Sequence, residues 1–242
     1  MGRKGKGKLD FEKIVGRSIV FLLVVFFSTL FMNNIDDRQG EVAILMANVQ
    51  RLNPEMQPFL RLIHLETPEV FVVQELDHAW EEAINTKFGR DYPYRVTEPS
   101  DGFFGIGLWS RSPILDSEIV HDPVSKAPII SARVFLDTGV IKIVSTHIFP
   151  PAMYDYSDDF RRSQFETLAS LVDERTIVIG DMNSTPFHRV SVGKAYLREF
   201  VSTWNGIPID HAYATPDVDW VNLRRGPDIN SDHRPIILEI DP

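Results

Sequence analysis

Between residues 94 and 148 the chain runs through five strand-like segments, YRVTE, FGIGLWSR, SEIV, PIISARVFL and VIKIVSTHI, with no helical pattern between them. Consecutive strands without crossover helices pair antiparallel. On either side of this block, strand-like runs alternate with helical patterns. EVAILMANV (41–49) is followed by NPEMQPFLRLIHLETP, which starts like a helix and closes at Pro68. EVFVVQEL (69–76) is followed by HAWEEAINTKF. RRSQFETLASLVDE places Phe165, Leu168, Ala169 and Val172 at helical spacing ahead of the run TIVIGDMN. IPIDHAYAT, DVDWVNLRR and PIILEID close the chain. The mixture predicts an α/β fold of two packed mixed β-sheets with outer helices. A hydrophobic content of 43% is enough for a packed core of that kind.

The first 32 residues follow a different pattern. Arg3, Lys4, Lys6, Lys8, Lys13 and Arg17 make a basic head, and 18–32 (SIVFLLVVFFSTLFM) carries no charge. Those residues are short for a span, but counting from Ile14, with Arg17 reaching back to the interface, brings the run close to the required length. A cleaved signal peptide is the rival reading; its small-residue cleavage site is missing. The expected organisation is a basic cytoplasmic head (1–13), a signal-anchor transmembrane helix (14–32), a polar linker (33–40) and the α/β domain (41–242). The positive-inside rule places everything after the span on the outer side of the membrane. Of the chain's 25 basic and 34 acidic residues the segment 1–32 takes 6 and 2, leaving the remainder a formal net charge of −13. Such a surface repels long polyanions unless a basic strip intervenes, and only the pairs Arg161-Arg162 and Arg224-Arg225 stand out. Both read as solvated surface charge.

Polar residues recur where strands end. TIVIG stops at Gly180 and presents Asp181 and Asn183; an extended chain points both the same way, at the carboxyl end where α/β proteins bind ligands. The competing reading is an Asx turn. Asn48, Glu75, His147, Asp210 with His211, and Asp232 with His233 stand at the ends of other runs. Each alone is explained by turn chemistry; together they suit a hydrolase site along one rim of a sheet sandwich. The chain has no cysteine, so a metal would be held by carboxylate, amide or imidazole, which favours hard cations such as Mg²⁺ or Mn²⁺. Such an ion neutralises phosphate oxygens and acidifies water, while a histidine oriented by a carboxylate handles protons or phosphate.

The motifs ANV, VVQEL, GIGLWSRSPI, STHIFPP, GDMNSTP, IPIDHAYAT and SDHRPI, in that order, resemble those of the endonuclease/exonuclease/phosphatase superfamily with its DNase I-like fold, over about 42–240. The preceding anchor and linker resemble its membrane-anchored bacterial branch, which implies the inner membrane with the domain on the periplasmic side. The resemblance implies a four-layer sandwich and a Mg²⁺-dependent phosphoesterase, with Mn²⁺ as an alternative ion. It makes Glu75 and Asn48 the principal metal pair, completed by Asp232. Asp181 orients or activates water and Asn183 holds the phosphate. His233, oriented by Asp210, is base or phosphate ligand, and His147 binds phosphate or assists the leaving group. Gln50 stands where many nuclease members carry an acid. Arg111 and His211 also fall in matched motifs, while Trp109 and Trp204 read as core or groove-wall aromatics. Nucleic acid, a phospholipid headgroup and a small phosphoester are the substrate candidates, with family frequency leaning to nucleic acid. A catalytically inactive membrane-tethered binding protein is the alternative from another class; the complete residue set argues against it.

Overall fold

The computed structural model of the protein describes residues 40–137, 139–151 and 157–241. The expected basic head, transmembrane segment and all but the last residue of the linker lie outside the described residues. Among the described residues no helix is long and apolar enough to cross a membrane.

Two sheets face each other. The first contains β1 (Val42–Asn48), β2 (Val70–Gln74), β3 (Tyr94–Glu98), β4 (Ile106–Ser110), β12 (Asp219–Arg225) and β13 (Ile236–Asp241), in the order β12-β13-β1-β2-β4-β3. The second contains β5 (Ile114–His121), β6 (Pro128–Leu136), β7 (Gly139–His147), β8 (Thr176–Asp181), β9 (Ser191–Val192), β10 (Ala195–Leu197) and β11 (Asp210–Ala214), in the order β5-β6-β7-β8-β11-β10-β9. Among the described residues only β1–β2 and β7–β8 are parallel pairs. Each parallel pair is joined through a helix, α1 (Gln57–Glu66) or α3 (Ser157–Leu171); in the helix-free central block β3–β4 and β5–β6–β7 pair antiparallel, while the chain changes sheet between β4 and β5.

Alternation along the strands builds the layers. Ile44 and Met46 of β1 point between the sheets with Val70, Val72, Ile143, Ile177 and Ile179. Leu45 and Ala47 point outward onto Phe59, Leu62 and Ile63 of α1 and Trp80 and Ile84 of α2 (His78–Phe88). On the other side Val144 and Val178 meet Phe165 and Leu168 of α3. Strands buried on both faces read as continuous apolar runs, which is why EVAILMANV and TIVIG lack polar alternation.

Local chemistry sets the helix ends. Proline opens α1, and Thr67 closes it in the left-handed region at φ 42°. Asp77 caps α2 by accepting from the Trp80 N–H at 2.8 Å. Gly180 lies opposite Thr146 in the parallel pair β7–β8, and a Cβ there would come within 2.1 Å of the Thr146 carbonyl oxygen. Only glycine lets β8 approach so closely.

Candidate active site

The carboxyl ends of β1, β2, β7 and β8 lie at one rim, and the loop before β13 joins them there. Asp181, 1% exposed, is the centre. Its Oδ2 is 3.2 Å from Asn48 Nδ2, 3.4 Å from His147 Nε2 and 3.7 Å from His233 Nε2. Its Oδ1 accepts from the Asn183 N–H at 2.9 Å. The Asx turn is therefore present, and it is compatible with the functional arrangement. Asn183 is not the next residue of an extended strand: at φ 44° it turns back, and its Nδ2 lies 2.9 Å from the Ile148 carbonyl and 3.2 Å from His147 Nε2. The turn, rather than strand alternation, brings Asp181 and Asn183 to the same place.

Glu75 follows β2 with φ 56°, and this left-handed step swings its carboxylate toward β1. Glu75 Oε1 accepts from Asn48 Nδ2 at 3.1 Å and Oε2 from the Arg51 N–H at 2.8 Å. Asn48 Oδ1 accepts from the Gln50 N–H at 3.0 Å, which fixes the amide with its nitrogen toward the two carboxylates. Gln50 thus contributes its backbone here. Ser231, which the sequence did not single out, donates its hydroxyl to the Asn48 carbonyl at 2.7 Å and accepts from the His233 N–H at 3.1 Å. It ties the final loop to β1.

His233 Nδ1 is 2.9 Å from Asp210 Oδ2, and Asp210 is fully buried. Burial alone would hold the imidazole pKa down; the hydrogen bond and charge of Asp210, with Asp181 and Asp232, outweigh it and raise the value to about 9. Burial and the neighbouring Asp181 charge push Asp210 up to about 6, against the pull of His233. His147 Nδ1 lies 3.0 Å from the Phe103 carbonyl, which can only accept, so Nδ1 carries the proton and Nε2 faces Asp181 and Asn183. Gln164, fully buried on α3, accepts from the Phe149 N–H at 2.9 Å and donates to the His147 carbonyl at 3.0 Å. Helical periodicity marked its apolar neighbours and passed over this polar clamp.

Seven of the eight predicted site residues come together. Asp232 is exposed and makes no hydrogen bond to Glu75 or Asn48 among the described residues, although its charge reaches His233. His211 is buried, with Nε2 2.6 Å from the Ser184 carbonyl; burial lowers its pKa, and it supports the Asn183 loop from beneath. Trp109 is core, stacked on Phe71 at 5.1 Å. Trp204 forms a backbone bridge to His233. Arg111 is exposed and turned toward the Thr67 carbonyl.

The donors suit a hard divalent ion. Glu75 and Asp181 present oxygens to one shared amide nitrogen, and ligand atoms of Asp181, Asp210 and His233 lie within 4.8 Å of one another. Asp210 Oδ1 is buried without a hydrogen-bond partner, a position that a cation or a protonated group can satisfy. Oxygen-rich, thiol-free donor sets favour hard divalent cations over structural zinc.

A family model described as the Endonuclease/Exonuclease/phosphatase family matches residues 44–233. No curated protein matches the sequence. Among solved structures the chain is similar to a humanized D. rerio TDP2 carrying 14 mutations, at 19% identity and TM-score 0.70, over 83% of this chain and 99% of that one. It is similar to the 3′ phosphatase NExo from Neisseria, bound to a product DNA hairpin, at 16% identity and TM-score 0.66, again over 83% and 99%. Sphingomyelinase C from Streptomyces griseocarneus gives 13% identity and TM-score 0.65 over the same shares. At these identities the likeness shows a common fold.

Proposed function

The chain belongs to the endonuclease/exonuclease/phosphatase family, and on that premise we propose that it is a divalent-metal-dependent phosphodiesterase acting on nucleic acid. The observation that carries this reading is the shared Asp181 Oδ2, within 3.7 Å of Asn48, His147 and His233 nitrogens. A carboxylate so placed can orient water and take its proton, while the groups around it meet a phosphate. Glu75 and Asp181, with Asn48 beside them, would hold the ion, and Asp232 at the exposed edge can join through water. A Mg²⁺ or Mn²⁺ bound there supplies neutralisation of phosphate charge and a more acidic water.

The raised pKa of His233 in the metal-free site favours a division of labour. A histidine with a pKa of about 9 is protonated at neutral pH, so it suits a phosphate oxygen rather than proton abstraction. That leaves water activation to Asp181. Asn183 Nδ2 and His147 Nε2 face the same space and suit the remaining phosphate oxygens or the leaving group.

DNA is supported by the company the fold keeps: one TDP2 structure is a complex with single strand DNA product, and the NExo structure holds a product DNA hairpin. The apolar run 14–32 supports attachment to the inner membrane of a bacterial cell with the domain on the periplasmic side. That run favours a phospholipid headgroup as the second reading, because it confines the site near a bilayer.

The test uses the full chain in detergent with supercoiled plasmid, with and without Mg²⁺, beside His233→Ala. Nicking that requires both Mg²⁺ and His233 is the expected result. A folded, Mg²⁺-binding protein that leaves plasmid intact and cleaves phospholipid headgroups overturns the nucleic-acid reading.

A further inference from the structure

The sequence pairs Arg161 with Arg162 as surface charge, but the structure separates them. Arg162 is exposed and bonds Asp159 at 2.8 Å. Arg161 is half-buried and donates to the Phe149 carbonyl. Its guanidinium carbon lies 6.0 Å from the centroid of the Phe165 ring. The guanidinium carbon of Arg189 lies 4.1 Å from the same ring. Among the described residues neither arginine forms a salt bridge. Two cations thus share one aromatic ring, in a domain whose other arginines have acidic partners in several places, such as Arg133, Arg224 and Arg234. Cation–π attraction is worth only about 0.5–1 kcal/mol at an exposed site, and the two like charges repel.

Their position relative to the site gives the pair a purpose. Arg161 stands one helical turn before Gln164, whose amide clamps the backbone of His147 and Phe149. Arg189 lies in the loop that begins at Asp181 and Asn183. Burial disfavours the Arg161 charge; Asp158 supports it, Arg189 opposes it, and Asp181 is near enough to add support. The same loop carries Phe187, 83% exposed, beside His188. Guanidinium groups suit phosphate oxygens, and an exposed ring in the same loop as Arg189 suits a nucleobase.

We propose that Arg161 and Arg189 form a second phosphate subsite, which holds a phosphate of the substrate next to the one being hydrolysed. The inference rests on the phosphodiesterase reading and specifies its substrate as a molecule with at least two phosphates. The neighbouring phosphate of a nucleic-acid strand and the second phosphate of a small bisphosphate share this chemistry.

The test is calorimetric binding to the full chain in detergent with Mg²⁺. Thymidine 3′,5′-bisphosphate is compared with the two thymidine monophosphates, and propane-1,3-diyl bisphosphate with propyl phosphate. The bisphosphate should bind at least about tenfold more tightly than either monophosphate, and Arg189→Ala, at an exposed position, should bring that ratio close to one. A gain confined to the nucleoside assigns the subsite to nucleic acid; an equal gain in the propane pair assigns it to small bisphosphates. A ratio of one in the unaltered protein, or a ratio untouched in both Arg189→Ala and Arg161→Lys, overturns the subsite. Binding is read without turnover, so a protein that shows the preference and cleaves no phosphodiester sinks the hydrolase reading alone.

Discussion

His233 Nδ1 sits 2.9 Å from Asp210 Oδ2 in a site where Asp210 has no exposure and His233 only 6%. Each group perturbs the other. The ring is held protonated by a carboxylate, and the carboxylate, next to Asp181, is harder to ionise than one in water. This dyad crosses the sandwich, from the loop before β13 to the start of β11.

The pH dependence follows from the direction of these shifts. His233 rises on folding from 6.5 to about 9, so its contribution to stability is complete below 6.5 and is lost as pH climbs through about 9. Asp210 rises from 3.8 to about 6, and its share is lost earlier, between those values. Metal-free protein in chelator should therefore lose stability between pH 6.5 and 9. Asp210→Asn should flatten that limb and return the His233 imidazole to an ordinary or lower pKa. Proton NMR titration of the ring checks this; a midpoint below 7 in the unaltered protein contradicts it.

Asn48 donates to Glu75 and Asp181 from one nitrogen, so Asn48→Asp removes the donor and sets a buried carboxylate against half-buried Glu75 and buried Asp181. The metal-free variant should lose about 3–5 kcal/mol, the usual cost of an uncompensated buried charge. Mg²⁺ should then raise its melting temperature more than that of the unaltered protein, because a bound cation offsets the added repulsion. Thermal melts in chelator and in Mg²⁺ decide; equal melting temperatures in chelator would remove the argument.

Gly180→Ala places a Cβ 2.1 Å from the Thr146 carbonyl, a backbone atom that no rotamer change can move. β7 and β8 must separate where they deliver His147 and Asp181. Urea unfolding should show a loss of about 1–3 kcal/mol or more, and turnover should fall together with stability. A change under about 0.5 kcal/mol, the range of neutral surface substitutions, would show that the strands yield easily.

Gln164→Leu keeps the volume of a buried side chain and leaves the His147 carbonyl and Phe149 N–H unpaired. Each stranded group costs about 1–3 kcal/mol, and hydrogen exchange at the Phe149 amide should accelerate beyond the global change. Gln164→Glu retains the acceptor for Phe149 and should fall between the two. Unchanged Phe149 protection in Gln164→Leu would refute the clamp.

The sequence by itself determined the elements and most of the chemical inventory. Apolar runs buried on both faces, proline at the start of α1 and the Asp77 cap of α2 are local signals, because backbone preference and side-chain period act over a few residues. Polar residues at strand ends marked Asn48, Glu75, His147, Asp181, Asn183, Asp210 and His233 for the same local reason. Tertiary structure alone decided how they meet. Val42 pairs with Ile240, and the Asn48–Asp181 hydrogen bond joins residues 133 apart in sequence; no periodicity reports contacts at that range. The turn at Asn183, the left-handed step at Glu75 and the exposure of Asp232 depend on neighbours brought by the fold. Gln164 and Arg161, ordinary polar residues on a helix in the sequence, acquire their roles only because α3 packs against the end of β7.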